Sequence, residues 1–274
     1  MNINNFIVII KFIFLGFVQG FTEPIPISSS GHSIIVKDIL HVYTPALSFE
    51  IIVHVGSLIA ICIVYRHDII KLIKETVHFI IHRDNRFYSS FLFTFFLCIA
   101  TFITGTIGLF LESFITEKLT KPIFVGVALI ITGIFIWIIR HLNGHKSDKD
   151  ITAKDAILIG IAQSFALIPG ISRSGATVVM ALLLGMDRTT ALRFSFLLFI
   201  PVSIGISLLS VNDIIQDRYF TILIIPYTLA FLTSLIATYF ALKWFIQIMK
   251  KGNLKIFAYY CFIIGLFVIF NQIF

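Results

Sequence analysis

"QGFTEPIPISSSGHS", Gln19 to Ser33, follows directly on an apolar run near the start of the chain. An acid, two prolines, three consecutive serines and a histidine are unusual cargo for such a segment. Proline removes a backbone donor and clashes with the preceding turn, so a straight helix through "EPIPISSSG" is disfavoured. A second stretch, "QSFALIPGISRSGAT" from Gln163 to Thr177, is a worn copy of the first. At a constant offset of 144, Gly16 falls on Gly160, Gln19 on Gln163, Phe21 on Phe165, Ser28 on Ser172, Ser30 on Ser174 and Gly31 on Gly175. The likeness continues at an offset of 145, where "ALSFE" (Ala46–Glu50) meets "ALRFS" (Ala191–Ser195).

The rest of the 274 residues is 58% hydrophobic and only 13% charged, outside the range of soluble domains. Several apolar runs approach the roughly 20 residues a helix needs to span a bilayer. Six segments read as full spans, at about 47–65, 90–110, 122–139, 191–210, 219–240 and 255–273. Residues 6–36 and 156–186 are instead split near their middles by Pro, Gly and Ser. Each half is read as too short to cross alone, so both segments are predicted to be re-entrant helical hairpins. Non-helical backbone at that depth is tolerated only inside protein or against a watery cavity. The expected fold is an all-α polytopic membrane protein, one membrane domain built as an inverted-topology repeat. Repeat one covers about 1–140 and repeat two about 151–274, each with one hairpin and three spans. Three is odd, so the second copy enters the membrane upside down relative to the first.

Charge tests that topology. The loops around 66–89, 140–155 and 241–255, with the 187–193 turn, carry fifteen of the 21 lysines and arginines, and the opposite side carries four. The basic side is expected to be cytoplasmic, which puts both chain ends outside, with the first hairpin opening outward and the second inward. This distribution also argues against nucleic acid as the reason for a net charge of +7. Cys62, Cys98 and Cys261 lie in apolar runs without metal spacing and read as small packing residues. The first apolar run ends in "VQGFTE" without a small-residue cleavage site, so it is read as mature protein rather than a signal peptide.

Inverted repeats with broken helices place their ligand where the breaks meet. Here "SSSGH" and "SRSG" each put hydroxyls and glycine-relaxed backbone at the start of a second half-helix. Backbone N–H groups at a helix N-terminus bind anions, helped by the helix dipole. Two such termini facing each other suit two adjacent phosphates. Arg173 at membrane depth costs roughly 2.5–3.5 kcal/mol unless it meets a cavity or an anion. Its fork matches phosphate oxygens. The repeat sets it opposite Ser29, so equivalent positions hold a cation and a nucleophile candidate. Glu23 and His32 complete a set able to serve as base, orienter and acid in phosphoryl transfer. Glu23 is equally able to hold Mg²⁺ or Ca²⁺ together with phosphate oxygens. Bland duties compete: serine and threonine in membrane helices often only bond carbonyls, and His32 fits an interfacial position. Glu50 and His54, one turn apart on the next span, line the same cavity or form a structural polar cluster. The histidines at 41, 67, 78, 82, 141 and 145 read as solvated loop residues.

At these two motifs the chain resembles the bacterial undecaprenyl-diphosphatase family, also known for bacitracin resistance. "QGFTEPIPISSSGH" is similar to the family's glutamate motif followed by its serine–glycine–histidine run, and "PGISRSGAT" to its arginine motif. The likeness extends through "FEIIVHVGSLIAI" and "FSFLLFIP". It implies hydrolysis of C55 undecaprenyl diphosphate to the monophosphate, which regenerates the carrier lipid for cell-wall synthesis in the bacterial plasma membrane. It also implies dependence on a divalent cation, Mg²⁺ or Ca²⁺. By motif position it makes Glu23, Ser29, His32 and Arg173 catalytic or phosphate-contacting, with Ser28, Ser172 and Thr177 in support. Gln19, Ser30, Gly31, Gln163, Gly170, Ser174 and Gly175 complete the expected substrate contacts. Gln19 stands where the family often has Glu, which weakens metal ligation through Glu23 relative to base or orienting duty. Ser29 is the expected nucleophile, with water activated by Glu23 the alternative. The expected partners are the polyprenyl diphosphate and membrane lipid, with a second copy of the chain as a further candidate. A polyprenyl-phosphate transporter or flippase of the same inverted build is the rival function.

Overall fold

A computed structural model describes residues 3–44, 47–119 and 121–273. Ala46 of the downstream repeat match, and both chain ends, lie outside the described residues. Among those residues the secondary structure is helical, with one isolated bridge between Lys146 and Met186. The first split segment is α1 (Ile3–Thr22) and α2 (Ser29–Leu40), and the second is α7 (Ala153–Phe165) and α8 (Arg173–Leu183). Between them run α3 (Ser48–Val64), α4 (Arg66–His82), α5 (Tyr88–Lys118) and α6 (Pro122–Ile139). After them come α9 (Arg188–Leu209), α10 (Val211–Gln216), α11 (Phe220–Lys251) and α12 (Lys255–Ile273). Among the described residues, five helices are long and apolar enough to cross a membrane, or six if the bent pair α3 and α4 counts as one span. This is a multi-pass membrane protein.

Both breaks fall where the prolines and glycines demand, at 23–28 and 166–172, and each helix pair packs against itself. Phe6–Thr22 of α1 falls among the shorter apolar helices rather than the spans, and α2, α7 and α8, of 12, 13 and 11 residues, are as short as expected. One expectation is corrected. Residues 66–82, read as loop because of their charges, instead form α4, bent 73° from α3. Their apolar positions Ile70, Ile73, Val77 and Ile80 recur at helical spacing, a pattern that a count of charges conceals.

Small residues let the long helices meet. A Cβ on Gly16 would fall 2.3 Å from the Ala230 carbonyl oxygen of α11, and one on Gly20 would fall 2.3 Å from that of Ser234. Gly160 of α7 packs in the same manner on Ala100 of α5. Such small-residue seams drive helix association where both partners are already in an apolar medium. Hydroxyls reinforce them: Thr238 donates to the Gly20 carbonyl at 2.9 Å, and Thr104 to the Gly160 carbonyl at 3.0 Å. On the basic side, Arg193 at the start of α9 pairs with Asp68 of α4 at 2.7 Å and with Asp148 of the α6–α7 connection. Lys146 pairs with Asp155 at 3.0 Å. Three segments expected on one face therefore do meet there.

Candidate active site between the two breaks

Each break hands over to its second helix in the same way. Ser28 caps α2, its Oγ accepting from the Gly31 N–H at 3.3 Å, and Ser172 caps α8, accepting from the Gly175 N–H at 3.1 Å. Serine at this position satisfies donors that a helix start leaves orphaned. Ser29 and Arg173 are consequently the first residues of α2 and α8.

The breaks are joined directly. The Gly170 N–H donates to Ser28 Oγ at 3.1 Å, and Ser174 Oγ donates to the Ile25 carbonyl at 3.2 Å. Ser28 is held at φ 67°, a conformation uncommon for any residue but glycine, asparagine or aspartate. Gly170 has φ 97°, and a Cβ there would fall 2.6 Å from the Val125 carbonyl oxygen. A Cβ on Gly31 would lie 3.0 Å from the Gly170 Cα. These glycines let two loops touch.

Glu23 is the hub. Its Oε1 accepts from Arg173 Nη2 at 3.0 Å, and its Oε2 accepts from Ser29 Oγ at 2.7 Å and from Gln19 Nε2 at 2.6 Å. His54 Nδ1 lies 3.6 Å from Oε1, and its Nε2 lies 3.0 Å from Ser203 Oγ. Arg173 Nη1 donates to the same Ser203 oxygen at 3.1 Å, and the guanidinium lies over the Phe199 ring at 4.4 Å. The arginine is thus held by its fork between a carboxylate and a hydroxyl, with one face on an aromatic ring.

These groups line a cavity of about 490 Å³. Gln19, Glu23, Ser28, Ser29, Ser30, Gln163, Ser172 and Arg173 all reach it, as do Glu50 and His54 from α3. Gln163 donates to Thr104 Oγ1 at 3.0 Å, while its own Oε1 has no partner among the described residues. Several expected contacts serve otherwise. His32 is absent from the lining: its Nδ1 faces the Ser28 carbonyl at 2.7 Å and its Nε2 faces the Tyr260 hydroxyl at 2.8 Å. Both ring nitrogens are engaged, so His32 ties the first break to α12 rather than standing over the carboxylate. Thr177 bonds back to the Arg173 carbonyl at 3.1 Å, the bland role open to a helical threonine. Gly31, Gly175 and Ser174 hold the loops together and are not in the lining.

Ser203, Phe199 and Lys37 were missed as site residues. Ser203 and Phe199 sit in an apolar run with nothing local to distinguish them, flanking Pro201 inside α9. Lys37 was counted only as a loop charge, although α2 presents Ser30, Ser33, Ile34 and Lys37 to the cavity at helical spacing.

The donor set does not fit a resident divalent ion. No group of three His, Cys, Asp or Glu converges among the described residues. Both Glu23 oxygens already accept bonds from protein donors, one of them cationic. Hard cations ask for several oxygen ligands, and Gln19 turns its amide nitrogen toward the carboxylate.

A second cavity, of about 440 Å³ and almost wholly apolar, opens between α6, α7 and α8 and shares Ile171 and Ser172 with the first.

Comparison with known proteins identifies the family. Residues 12–267 match the family described as bacitracin resistance protein BacA. Undecaprenyl-diphosphatase 2 of Bacillus thuringiensis (strain Al Hakam) is 50% identical over 260 residues, covering 95% of this chain and 96% of that one. Undecaprenyl-diphosphatase of Oceanobacillus iheyensis is 48% identical over 274 residues, covering 98% and 99%. Undecaprenyl-diphosphatase 1 of Halalkalibacterium halodurans is 48% identical over 261 residues, covering 95% of each. The matches run through both breaks and the helices that carry Ser203 and His54, and the chain belongs to the bacitracin resistance protein BacA family.

Proposed function

We propose that this protein is an undecaprenyl-diphosphate phosphatase, hydrolysing the lipid diphosphate to undecaprenyl phosphate and inorganic phosphate. The observation that carries the reading is the Ser29–Glu23–Arg173 chain of hydrogen bonds across two helix starts in one cavity. A hydroxyl bonded to a carboxylate is a nucleophile with its base in place. Ser29 Oγ attacks the terminal phosphorus and its proton passes to Glu23 Oε2. The Oγ–P bond forms as the bond to the bridging oxygen breaks, and undecaprenyl phosphate leaves with the electron pair. Glu23 passes that proton to the departing phosphate. Water then attacks the phosphoserine and gives a proton to Glu23, which returns it to Ser29 Oγ as the Oγ–P bond breaks and inorganic phosphate is released. Arg173 and the N–H groups of the two loops hold the charge that spreads over the phosphoryl oxygens. Such transfer is mostly positioning and electrostatics, which fixed donors supply in large part. No step here runs through a metal. A divalent cation, as the family resemblance implies, would arrive with the diphosphate rather than reside on the protein.

The apolar cavity beside Ser172 offers the polyprenyl tail a seat continuous with the polar one. The inverted repeat is supported by matched caps at Ser28 and Ser172 and by exchanged packing, α1 on α11 and α7 on α5. On that topology the basic face, where Arg193 gathers Asp68 and Asp148, is cytoplasmic. The deciding experiment is phosphate release from a polyprenyl diphosphate by purified protein in detergent. Release by the wild type, a trapped phosphoserine at Ser29 and an inert Ser29→Ala variant are expected. Binding without release would instead indicate a transporter of the same build. Full activity in Ser29→Ala with a dead Glu23→Gln would move the attack to water.

A further inference from the structure

The charged residues lining the polar cavity are Glu23, Arg173, Lys37 and Glu50. They form two opposed pairs: Arg173 with Glu23 at 3.0 Å, and Lys37 with Glu50. At the catalytic end, therefore, Arg173, the one cation there among the described lining residues, is already matched by Glu23, yet a diphosphate brings two charged groups into the same space. Bringing those groups into a partly desolvated chamber is unfavourable unless a further cation meets them.

Lys37 is placed to do so. It stands one turn beyond Ser33 and two beyond Ser30 on the α2 face that lines the cavity. Its partner Glu50 stands four residues, about 6 Å along the axis, from His54, whose ring lies 3.6 Å from the Glu23 carboxylate. The lysine side chain is only 15% exposed, and its amine also donates to Thr44 Oγ1 at 2.8 Å and lies 5.2 Å from the Phe49 ring centroid. Glu50 uses one oxygen for Lys37, while its Oε2 is buried without a hydrogen-bond partner among the described residues. An ammonium on a flexible stem, paired with a carboxylate that keeps one oxygen unbonded, suits transfer to an arriving anion.

We propose that Lys37 is the contact for the second phosphate. When the diphosphate arrives, the amine leaves Glu50 for an oxygen of the phosphate that is not under attack, so the Lys37–Glu50 pair selects two linked phosphates over one. This inference rests on the phosphatase reading for its substrate but not for its binding chemistry, so inorganic pyrophosphate and inorganic phosphate serve as probes. Isothermal titration of purified full-length protein in detergent is expected to show Lys37→Met weakening pyrophosphate at least tenfold and leaving phosphate affinity within twofold. Lys37→Arg should recover most of the loss, and Glu50→Gln should tighten pyrophosphate by removing the competitor. In the phosphate-release assay the same Lys37→Met change should raise KM and leave kcat within about threefold. Melting temperatures guard against misfolding, and Glu50→Gln tests the idea without touching the lysine. Unchanged pyrophosphate affinity in both Lys37→Met and Glu50→Gln, or equal losses for both probes, would overturn the proposal. If the wild type releases no phosphate but binds pyrophosphate through Lys37, the phosphatase reading fails and this one stands.

Discussion

Removing Arg173 tests two things at once, because the same guanidinium serves the fold and the chemistry. Its Nη2 satisfies Glu23 Oε1 and its Nη1 meets Ser203, both at about hydrogen-bond contact. Breaking a buried ion pair by deleting one partner costs about 3–5 kcal/mol, since the remaining charge is left uncompensated. Glu23 retains Gln19 and Ser29 as donors, and the pair borders a cavity, so Arg173→Ala should fall at the lower end, about 3 kcal/mol. That is a drop of several degrees in Tm, with insertion and expression preserved. Adding Glu23→Gln should recover most of that loss by removing the orphaned charge. Turnover should behave differently. Loss of an arginine that holds transition-state charge in phosphoryl transfer is worth roughly 10³–10⁵ in kcat, and the double variant should stay inert. Arg173→Lys should also be poor, because one ammonium does not span Glu23 and Ser203 together. Thermal unfolding in detergent and phosphate release from the lipid diphosphate, run on the same preparations, separate the two effects. Additive stability losses would show that the pair is uncoupled, and turnover within tenfold of wild type in Arg173→Ala would remove the arginine from the transition state.

Ser28→Ala should destabilise by about 2–6 kcal/mol, since two N–H groups, of Gly31 and Gly170, lose their acceptor at roughly 1–3 kcal/mol each; a Tm shift under two degrees would argue against the loop-joining role. Gly20→Leu should abolish the close packing of α1 on α11, where even a Cβ meets the Ser234 carbonyl, and unchanged melting would contradict it. Ser203→Ala should lower kcat about tenfold and preserve Tm within a few degrees, because it loosens Arg173 and His54 without burying a charge. Chelation with EDTA should depress phosphate release and leave Tm unmoved, consistent with a cation carried by the substrate; a fall in Tm would reveal a resident ion.

Much of the site was legible because its chemistry is local. Prolines clustered with glycine and serine interrupt a helix where the isolated Pro201 of α9 does not, and serine is favoured at a helix start, where it accepts from an N–H of the first turn. Both breaks and the equivalence of Ser29 and Arg173 through the repeat therefore follow from spacing. Apolar length alone marked the long spans, and charge bias marked the face where Arg193, Asp68 and Asp148 gather. The direction of a side chain and the far partner it meets were not legible. His32 sits in the motif yet turns to Tyr260, 228 residues away, while His54, outside both motifs, stands at the carboxylate. Charges in 66–82 hid an amphipathic helix, and Ser203 had no local signal in a run of apolar residues. Backbone propensity is decided over a few neighbours, whereas these contacts depend on which helix faces pack together, and only the folded chain determines that.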